Sequence, residues 1–269
     1  MPHFIFFDCE TTGVEFGSRL IELGAIATDE AGQVLATFHC LCNPGMPIPA
    51  DSTRTHNITD DMVGDVESAD LALVCFSEWL QIYESPVMIA HNAPYDVGIM
   101  SYELQRAGLP MLDAVVFDTC AHARALKVTK DNKLSTLVEH YGIEVIGVAH
   151  RAMADVDACR QYFNLTRPDP IVVTPWQAPY QFTDKAEHLT EHLFDLPELV
   201  ATASPLSFDY ADAKGNPSTR TITPYGWALL SDGSVSFHGL DHSKGARRTF
   251  KADRILRRLV TVGATEVQS

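Results

Sequence analysis

Four acidic residues and one histidine, carried by three short segments between residues 8 and 155, are the side chains of this sequence best suited to chemistry. The segments are FIFFDCETTG at 4–13 with Asp8 and Glu10, AHNAPYDVGIM at 90–100 with Asp96, and HRAMADVDA at 150–158 with His150 and Asp155. Converging carboxylates are costly to bury unless a cation compensates them. Their hard oxygen atoms suit Mg²⁺ or Mn²⁺. A histidine beside such ions would complete a site able to hydrolyse a phosphodiester.

The first segment predicts a buried strand that ends in two acids. Residues 3–7 form an apolar, aromatic-rich run that stops at Asp8. Asp8 and Glu10 are two positions apart, so on an extended chain they point to the same side. Two such carboxylates repel each other unless a divalent ion lies between them. The alternative is a strand end with a solvated acidic turn.

The second segment predicts a strand followed by a helix. The apolar run 87–91 leads into Asn92, Ala93 and Pro94, and proline suits the first turn of a helix. Asp96 would then lie in the first turn, where the helix dipole favours a negative charge. It would face the same edge of the sheet as Asp8. The alternative is an acid that only complements the dipole.

The third segment predicts a histidine just before a helix and an acid inside it. The helix would run to about residue 163. A histidine with an unperturbed pKa near 6.5 can accept a proton at neutral pH, so His150 is a candidate base, and Asp155 can complete a metal site. Asp157, two residues further on, should face elsewhere. The alternative for His150 is a helix cap or an ordinary surface residue.

In order and local sequence, the three segments resemble the motifs of the DEDDh 3′→5′ exonuclease family over residues 1–166. FFDCETTG is similar to the first motif, HNAPYD to the second and HRAMAD to the third, with Tyr95 where the family often has Phe. The resemblance implies an α/β fold with an RNase-H-like mixed sheet flanked by helices. It implies that His150 is the general base and that two divalent ions, Mg²⁺ or Mn²⁺, are held by the acids Asp8, Glu10, Asp96 and Asp155.

The same resemblance implies a substrate and further contacts. The substrate would be a single-stranded DNA or RNA 3′ end, and the product a nucleoside 5′-monophosphate. Thr11 and Thr12 could meet the terminal nucleotide, Ile58 could stack against a base, and Asn92 could contact the strand. The alternatives are a core position for Ile58 and a turn-forming role for Asn92. Family members often dimerise, and by that analogy a homodimer is a candidate assembly.

Hydrophobic periodicity and breaker residues predict the elements of the first domain, 1–166. Strands are predicted near 3–8, 20–28, 33–41, 87–91 and 114–118, and helices near 67–84, 94–107, 134–141 and 152–164. Antiparallel strands first and helical crossovers later favour a mixed central sheet with helices on both faces. Four prolines then indicate an extended linker at 167–183, in which Trp176 and Tyr180 could dock on a surface.

The last domain, 184–269, is predicted to begin with a short amphipathic helix near 184–194 and to continue as β-hairpins. SFDYADAKGNPSTRTITPYGWALLSDG at 207–233 and GARRTFKADRI at 245–255 resemble the WYL domain, a small SH3-like β-barrel. The family's Trp-Tyr-Leu is Trp227-Ala228-Leu229 here, so the tyrosine is missing. By resemblance, nucleic acid or a nucleotide ligand would contact Tyr210, Arg220, Arg247, Arg248 and Arg254. The alternative is that these cations only solvate the barrel.

The charge of the chain is uneven. The formal net charge is −15. Residues 1–200 hold 11 Lys and Arg against 29 Asp and Glu, which gives −18, and residues 201–269 hold 9 against 6, which gives +3. An acidic catalytic domain has weak long-range attraction for a polyanion. It suits a short single-stranded end better than a long duplex.

Targeting and cysteine usage favour a cytoplasmic protein. We find no signal pattern and no apolar stretch of membrane-spanning length, so no membrane partner is expected. The six cysteines show no CxxC pairing and indicate reduced thiols. Two alternatives to a free-standing nuclease stay open. One is a regulator that uses the nuclease fold as a binding platform, and the other is a proofreading or repair subunit beside a separate polymerase.

Overall fold

The computed structural model describes residues 3–14, 17–169, 171–176, 189, 193, 195–229, 234–257 and 259–262. The chain divides into two compact units. The first comprises Met1–Thr11, Leu20–Asn43 and Ala50–Pro179, and the second Thr12–Arg19, Pro44–Pro49 and Tyr180–Ser269. The second unit therefore includes two segments from the N-terminal half of the sequence.

The first unit contains a six-stranded sheet and seven helices within its described residues. The strands are β1 (Phe4–Thr11), β2 (Leu20–Thr28), β3 (Val34–Leu41), β4 (Val87–Ala90), β5 (Val115–Asp118) and β6 (Thr174–Pro175). The helices are α1 (Ala50–His56), α2 (Asp60–Val63), α3 (Ala69–Leu80), α4 (Ala93–Arg106), α5 (Thr119–Leu126), α6 (Leu134–Tyr141) and α7 (Ala152–Thr166). The predicted strands and helices are all present, while α1, α2 and α5 were not predicted.

The sheet has the order β3-β2-β1-β4-β5-β6. β2 pairs antiparallel with β1 and with β3, and β4 pairs parallel with β1 and with β5. β6 pairs antiparallel with β5. The predicted mixed sheet is therefore confirmed. β1 lies in the middle of the sheet, between an antiparallel and a parallel neighbour, so its end is the natural place to collect side chains from several elements.

The two faces of β1 pack against different helices. Ile5 and Phe7 belong to the core that α3 and α4 cover. Phe4 and Phe6 belong to a second core with residues of α7, and both rings meet the ring of Phe163 edge to face, at centroid distances of 5.2 and 5.5 Å. Because side chains alternate along a strand, Asp8 and Glu10 continue the face of Phe4 and Phe6. The sheet is thus covered by helices on both faces, as predicted.

The described part of the predicted linker packs on the first unit. Residues 174–175 form β6, which pairs with Val115 and Val116 of β5. Trp176 is buried beside Phe7, and its Nε1 donates a hydrogen bond to Ser101 Oγ at 3.1 Å. Burying an indole with a satisfied N–H is strongly stabilising. This stretch is therefore part of the sheet, and Tyr180 lies outside the described residues.

The second unit has its own core and its own sheet. Helix α8 (Leu196–Ala201) precedes five antiparallel strands in the order β10-β9-β8-β7-β11. They are β7 (Leu206–Ala211), β8 (Pro217–Leu229), β9 (Val235–Asp241), β10 (Ala246–Lys251) and β11 (Val260–Thr261). Leu196, Phe208, Trp227 and Phe237 contribute to the core. The predicted hairpin architecture is confirmed, while the predicted helix at 184–194 lies mostly outside the described residues.

Along the described part of the chain, every helix is too short or too polar to span a lipid bilayer.

Candidate active site

Three carboxylates from two elements meet at the end of β1. One carboxylate oxygen from each of Asp8, Glu10 and Asp155 lies within 4.8 Å of the others. Asp8 and Glu10 point to the face of β1 that packs against α7, and Asp155 lies in the first turn of α7. The alternation of β1 and the position of α7 therefore bring together acids that are 147 residues apart in the chain (155 − 8).

The acids strongly oppose one another's ionisation. Burial and then the charges of Asp155 and Glu22 raise the pKa of Asp8 to about 8. Burial, followed by the charge of Asp8, raises the pKa of Glu10 to about 9. Burial also raises the pKa of Asp155. A group of half-buried carboxylates holds protons or a cation. The three side chains are hard oxygen donors of the kind that divalent ions prefer, so their chemistry fits a metal site.

Asp96 lies beside this group. It occupies the first turn of α4, is 2% exposed, and its Oδ1 accepts a hydrogen bond from the Cys9 backbone N–H at 3.0 Å. Burial and then the charge of Asp8 raise the pKa of Asp96. The structure thus joins Asp96 to the strand residue between Asp8 and Glu10, while the group of oxygens within 4.8 Å contains only the other three acids among the described residues.

His150 lies at the entrance to the acids. It is exposed, it precedes α7 by two residues, and its backbone φ of 57° is in the left-handed region. Burial raises the pKa of Asp155, while the charge interaction with His150 and then a hydrogen bond from the His150 backbone N–H lower it. His150 and Asp155 together border an open groove of about 760 Å³. Asp157 instead binds Arg160 and Gln161, so it faces away as predicted.

Glu22 is a functional candidate that sequence reasoning missed. It lies in β2, opposite Glu10, and is 1% exposed. Its carboxylate accepts hydrogen bonds from the Arg151 guanidinium at 2.7 Å, the Ala152 backbone N–H at 3.0 Å and His39 Nε2 at 2.7 Å. Burial would raise the pKa of Glu22, but these bonds outweigh it and lower that pKa. The available signal was a lone acid inside the apolar run LIELGAIAT.

Asp118 was also missed. It is the last residue of β5, and its Oδ1 accepts hydrogen bonds from the backbone N–H groups of Cys120, Asn92 and Ala93, at 2.9, 3.0 and 3.3 Å. One carboxylate therefore caps α5 and fixes the start of α4, the helix that carries Asp96. An acid directly before a helical run is the signal that could have revealed the cap.

The expected substrate contacts have mixed positions. Thr11 Oγ1 is 2.6 Å from the Tyr95 hydroxyl, and Thr12 Oγ1 accepts from the Arg19 backbone N–H at 2.8 Å. Ile58 is fully buried at 0% exposure, which favours the core position left open for it over a base-stacking role. Asn92 has a left-handed φ of 66° at the start of α4, so it forms the turn, and it also borders the groove. Their roles toward a substrate stay predictions.

In the second unit, the residues suggested by the WYL resemblance are partly engaged. Tyr210 is buried in the core, and its hydroxyl accepts from the Lys251 backbone N–H at 3.2 Å. Arg220 Nη1 binds Asp241 Oδ2 at 3.2 Å. Both side chains are therefore engaged in contacts within the protein.

Arg247 Nη2 donates to the Thr12 carbonyl at 3.1 Å, and its guanidinium lies over the Tyr225 ring. Arg248 is exposed on β10, and Arg254 is half-buried near Asp212. A ligand role for these arginines stays a prediction.

The central mixed sheet and the acids at the end of β1 define an RNase-H-like exonuclease fold. The family model described as "Exonuclease" matches residues 5–163, and the model of the WYL domain matches residues 191–260. The first match covers more than half of the chain, so the chain belongs to the exonuclease family. The resemblances to DEDDh exonucleases and to the WYL domain are thereby confirmed.

A curated protein is similar to more than half of the chain. The DNA polymerase III PolC-type protein of Listeria welshimeri is 33% identical over 154 residues, which is 56% of this chain and 10% of that protein. The chain therefore spans about a tenth of the length of this curated relative.

Two solved structures share the fold. The zinc-bound complex of E. coli exonuclease I with single-stranded DNA covers 89% of this chain and 55% of its own, at 20% identity and a TM-score of 0.57. The nuclease domain of 3′hExo, a DEDDh family member bound to rAMP, covers 64% and 96%, at 16% identity and a TM-score of 0.56.

Proposed function

We propose that this protein is a metal-dependent 3′→5′ exonuclease that removes nucleoside 5′-monophosphates from the ends of single-stranded DNA or RNA. The observation that carries the proposal is the set of carboxylates from Asp8, Glu10 and Asp155 within 4.8 Å of one another. Such a set is unfavourable without a cation, and it opens beside His150 onto a groove. The single-stranded DNA and the zinc ion of the exonuclease I complex support the same substrate class and a divalent ion.

Each residue then has a role. Asp8, Glu10, Asp96 and Asp155 would hold two Mg²⁺ or Mn²⁺ ions. Bound ions of this kind acidify a water molecule and stabilise the charge of the leaving oxygen. A ring nitrogen of His150 takes the proton of the attacking water, whose oxygen bonds to phosphorus while the bond from phosphorus to the 3′ oxygen breaks. The terminal nucleotide leaves with its 5′ phosphate.

The decisive variant is Asp155→Asn, which keeps the size of the side chain and removes a negative charge from the metal site. We expect the rate of hydrolysis to fall by at least about 100-fold, as for other groups that stabilise charge in a transition state. The assay follows a 5′-labelled oligonucleotide with Mg²⁺ or Mn²⁺, with and without a chelator, as a descending ladder. Matched DNA and RNA strands report the sugar preference.

Asp157→Asn is the matched control, because it removes the same charge from the same helix at a position bound to Arg160. It should keep the wild-type rate. Full Mg²⁺-dependent activity in Asp155→Asn, or immediate release of the labelled 5′ nucleotide, would contradict the proposal. A protein that binds strands with all its acids intact but never cleaves them would favour the regulatory alternative.

A proofreading role is a second candidate, because the curated relative matched by the first unit is a PolC-type polymerase. A proofreading nuclease should remove a mismatched primer terminus several times faster than a matched one, since frayed ends supply the single strand. Equal rates on the two termini would count against this role.

A reducing compartment such as the cytoplasm is the proposed location. All six cysteines are free thiols, including Cys40 and Cys42, whose sulfur atoms are 4.0 Å apart. Six cysteines without a CxxC pair are typical of a protein in a reducing environment. The homodimer and the nucleotide ligand of the second unit stay predictions.

A further inference from the structure

We propose that the groove beside His150 and Asp155 binds the strand on the 5′ side of the scissile phosphate, with Arg124 and Lys133 as contacts to its phosphates. The inference rests on the proposed function, and it adds a substrate-binding track to the hydrolytic site. Every residue that borders the groove lies in the first unit. The groove runs from the catalytic pair to α5, the start of α6 and the segment before α7.

The charge of the groove differs from that of the surrounding unit. Residues 1–200 carry a net charge of −18, from 11 Lys and Arg against 29 Asp and Glu. Among the residues that border the groove, however, there are two cations, Arg124 and Lys133, and one acid, Asp155. Asp131, which lies next to Lys133, does not border it. Both cations are exposed, and Arg124 Nη2 donates to a weak acceptor, Cys120 Sγ at 3.7 Å. Two cations beside the catalytic residues suit a polyanion in an otherwise repulsive domain.

The remaining surface of the groove suits nucleosides. Val138, Val145 and Ala149 give it an apolar side, against which sugars and bases can pack. The start of α6 borders the same space, and the positive end of a helix adds to the attraction for phosphate. A polar side and an apolar side along one groove match the two faces of a single strand.

The loop that carries Lys133 is held in place. His91 Nε2 donates to the Asn132 carbonyl at 2.7 Å, and His91 Nδ1 is 3.0 Å from Thr119 Oγ1. Thr119 Oγ1 is in turn 3.1 Å from the Ala90 carbonyl at the end of β4. The residue before Lys133 is therefore tied to the central sheet. A preorganised loop loses less entropy on binding than a mobile one.

The direction in which the nucleic-acid strand would lie along the groove follows from the position of Thr11. Thr11, which is expected to meet the 3′-terminal nucleotide, does not border it. A 3′→5′ exonuclease has one nucleotide on the 3′ side of the scissile bond and the rest of the strand on the 5′ side. A long open groove that begins at His150 is therefore suited to the 5′ side.

The test compares two double variants with the same change in charge. Arg124→Ala/Lys133→Ala removes the groove cations, and Lys127→Ala/Lys130→Ala removes two nearby cations that do not border the groove. Fluorescence anisotropy of 5′-fluorescein-labelled (dT)8 is measured with Ca²⁺ in place of Mg²⁺, so that binding is observed without turnover.

We expect the groove variant to weaken binding about 10-fold and to reduce the slope of log K against log salt by about 1.4, since each phosphate contact on a single strand contributes roughly 0.7. The control should change affinity less than about 2-fold, because it removes no predicted phosphate contact. Equal losses in the two double variants would overturn the proposal. Equal weakening of thymidine 5′-monophosphate and (dT)8 would overturn the assignment to the 5′ side.

Arg124→Gln/Lys133→Gln repeats the test with longer side chains, and a thermal melt of each variant reports folding. Because binding is measured without hydrolysis, the outcome is independent of the Asp155→Asn assay. Full activity of Asp155→Asn would contradict the nuclease function and would leave the evidence for the groove contacts unchanged. Unchanged binding by the groove variant, together with an inactive Asp155→Asn, would contradict only the groove contacts.

Discussion

The Glu22 carboxylate organises the residues that follow the proposed base. It binds the Arg151 side chain and the Ala152 backbone, both directly after His150. His150 has a left-handed backbone, a conformation that most residues adopt only when their surroundings hold them there. Glu22 is therefore a positioning residue, which acts on His150 through the backbone of residues 151 and 152.

We predict that Glu22→Gln slows the chemical step more than it weakens binding. The amide keeps the shape of the side chain but loses the charge-assisted bonds to Arg151, so His150 samples more orientations. The single-turnover rate should fall about 10-fold, a typical part of the contribution of a general base. The affinity for (dT)8 with Ca²⁺ should change little.

Glu30→Gln, which removes an exposed acid just after β2, is the control for lost charge. Arg151→Lys tests the partner, because a lysine cannot form the two parallel bonds. If Glu22→Gln lowered affinity and rate by the same factor, a general structural role would replace the positioning role.

At the scale of elements, the site depends on how strand ends and helix starts are joined. Asp118 caps α5 and binds the first backbone groups of α4. On the other face, Gly24 of β2 allows the start of α7 to approach, because a Cβ there would lie 3.0 Å from the Ala152 Cβ. The start of α4, which carries Asp96, is thus fixed by the Asp118 carboxylate. The start of α7, which carries Asp155, can approach β2 because Gly24 has no side chain.

We predict that Asp118→Ala lowers the free energy of unfolding by about 1–2 kcal/mol, the usual cost of losing a helix cap. Urea denaturation measures the change. Asp169→Ala is the control, since Asp169 is exposed beyond α7 and its loss should change stability by less than about 0.5 kcal/mol. Equal stability of the two variants would mean that Asp118 does not anchor these helices.

At the scale of the whole molecule, charge and chemistry are divided between two parts of the chain. The acids proposed to hold the metal ions belong to the strongly acidic first part, and the last 69 residues carry a net charge of +3 (9 − 6). Within the second unit, Arg220 and Arg247 bind Asp241 and the Thr12 carbonyl, while Arg248 is exposed and Arg254 is half-buried near Asp212. We therefore expect the second unit to add affinity for strands longer than the groove can hold.

We predict that Arg248→Ser/Arg254→Ser weakens binding of a 20-nucleotide single strand several-fold and makes its salt dependence shallower, as expected when phosphate contacts are lost. Binding of (dT)8 should change much less. Lys214→Ser/Lys244→Ser, in two exposed turns of the same unit, gives the same change in charge. If both double variants lost the same affinity, general charge would explain the effect and the WYL-like positions would have no special role.

Much of the fold and of the site could be predicted because it depends on local patterns. The alternation of β1, the helix start at Asn92 and the spacing from His150 to Asp155 are each contained in a short segment. The strand at Leu20–Thr28 and the helix at Leu134–Tyr141 were predicted with their observed bounds. Short apolar strands and helix caps are set by neighbouring residues, so the sequence itself carries this information.

Other features depended on which distant elements meet. The strand Thr174–Pro175 has two residues and forms because it can pair with the edge of β5. Nothing in its proline-rich sequence indicates that edge, so the sequence alone predicts a linker. In the sequence, Glu22 is an ordinary acid within a strand and Asp118 an ordinary strand end. Their roles become visible only in the tertiary structure, where Arg151 binds Glu22 and the Asn92 backbone binds Asp118. By itself, the sequence determined which acids and which histidine could act. The tertiary structure decided which of them lie within 4.8 Å and what holds them there, because long-range packing, and not local propensity, sets those distances.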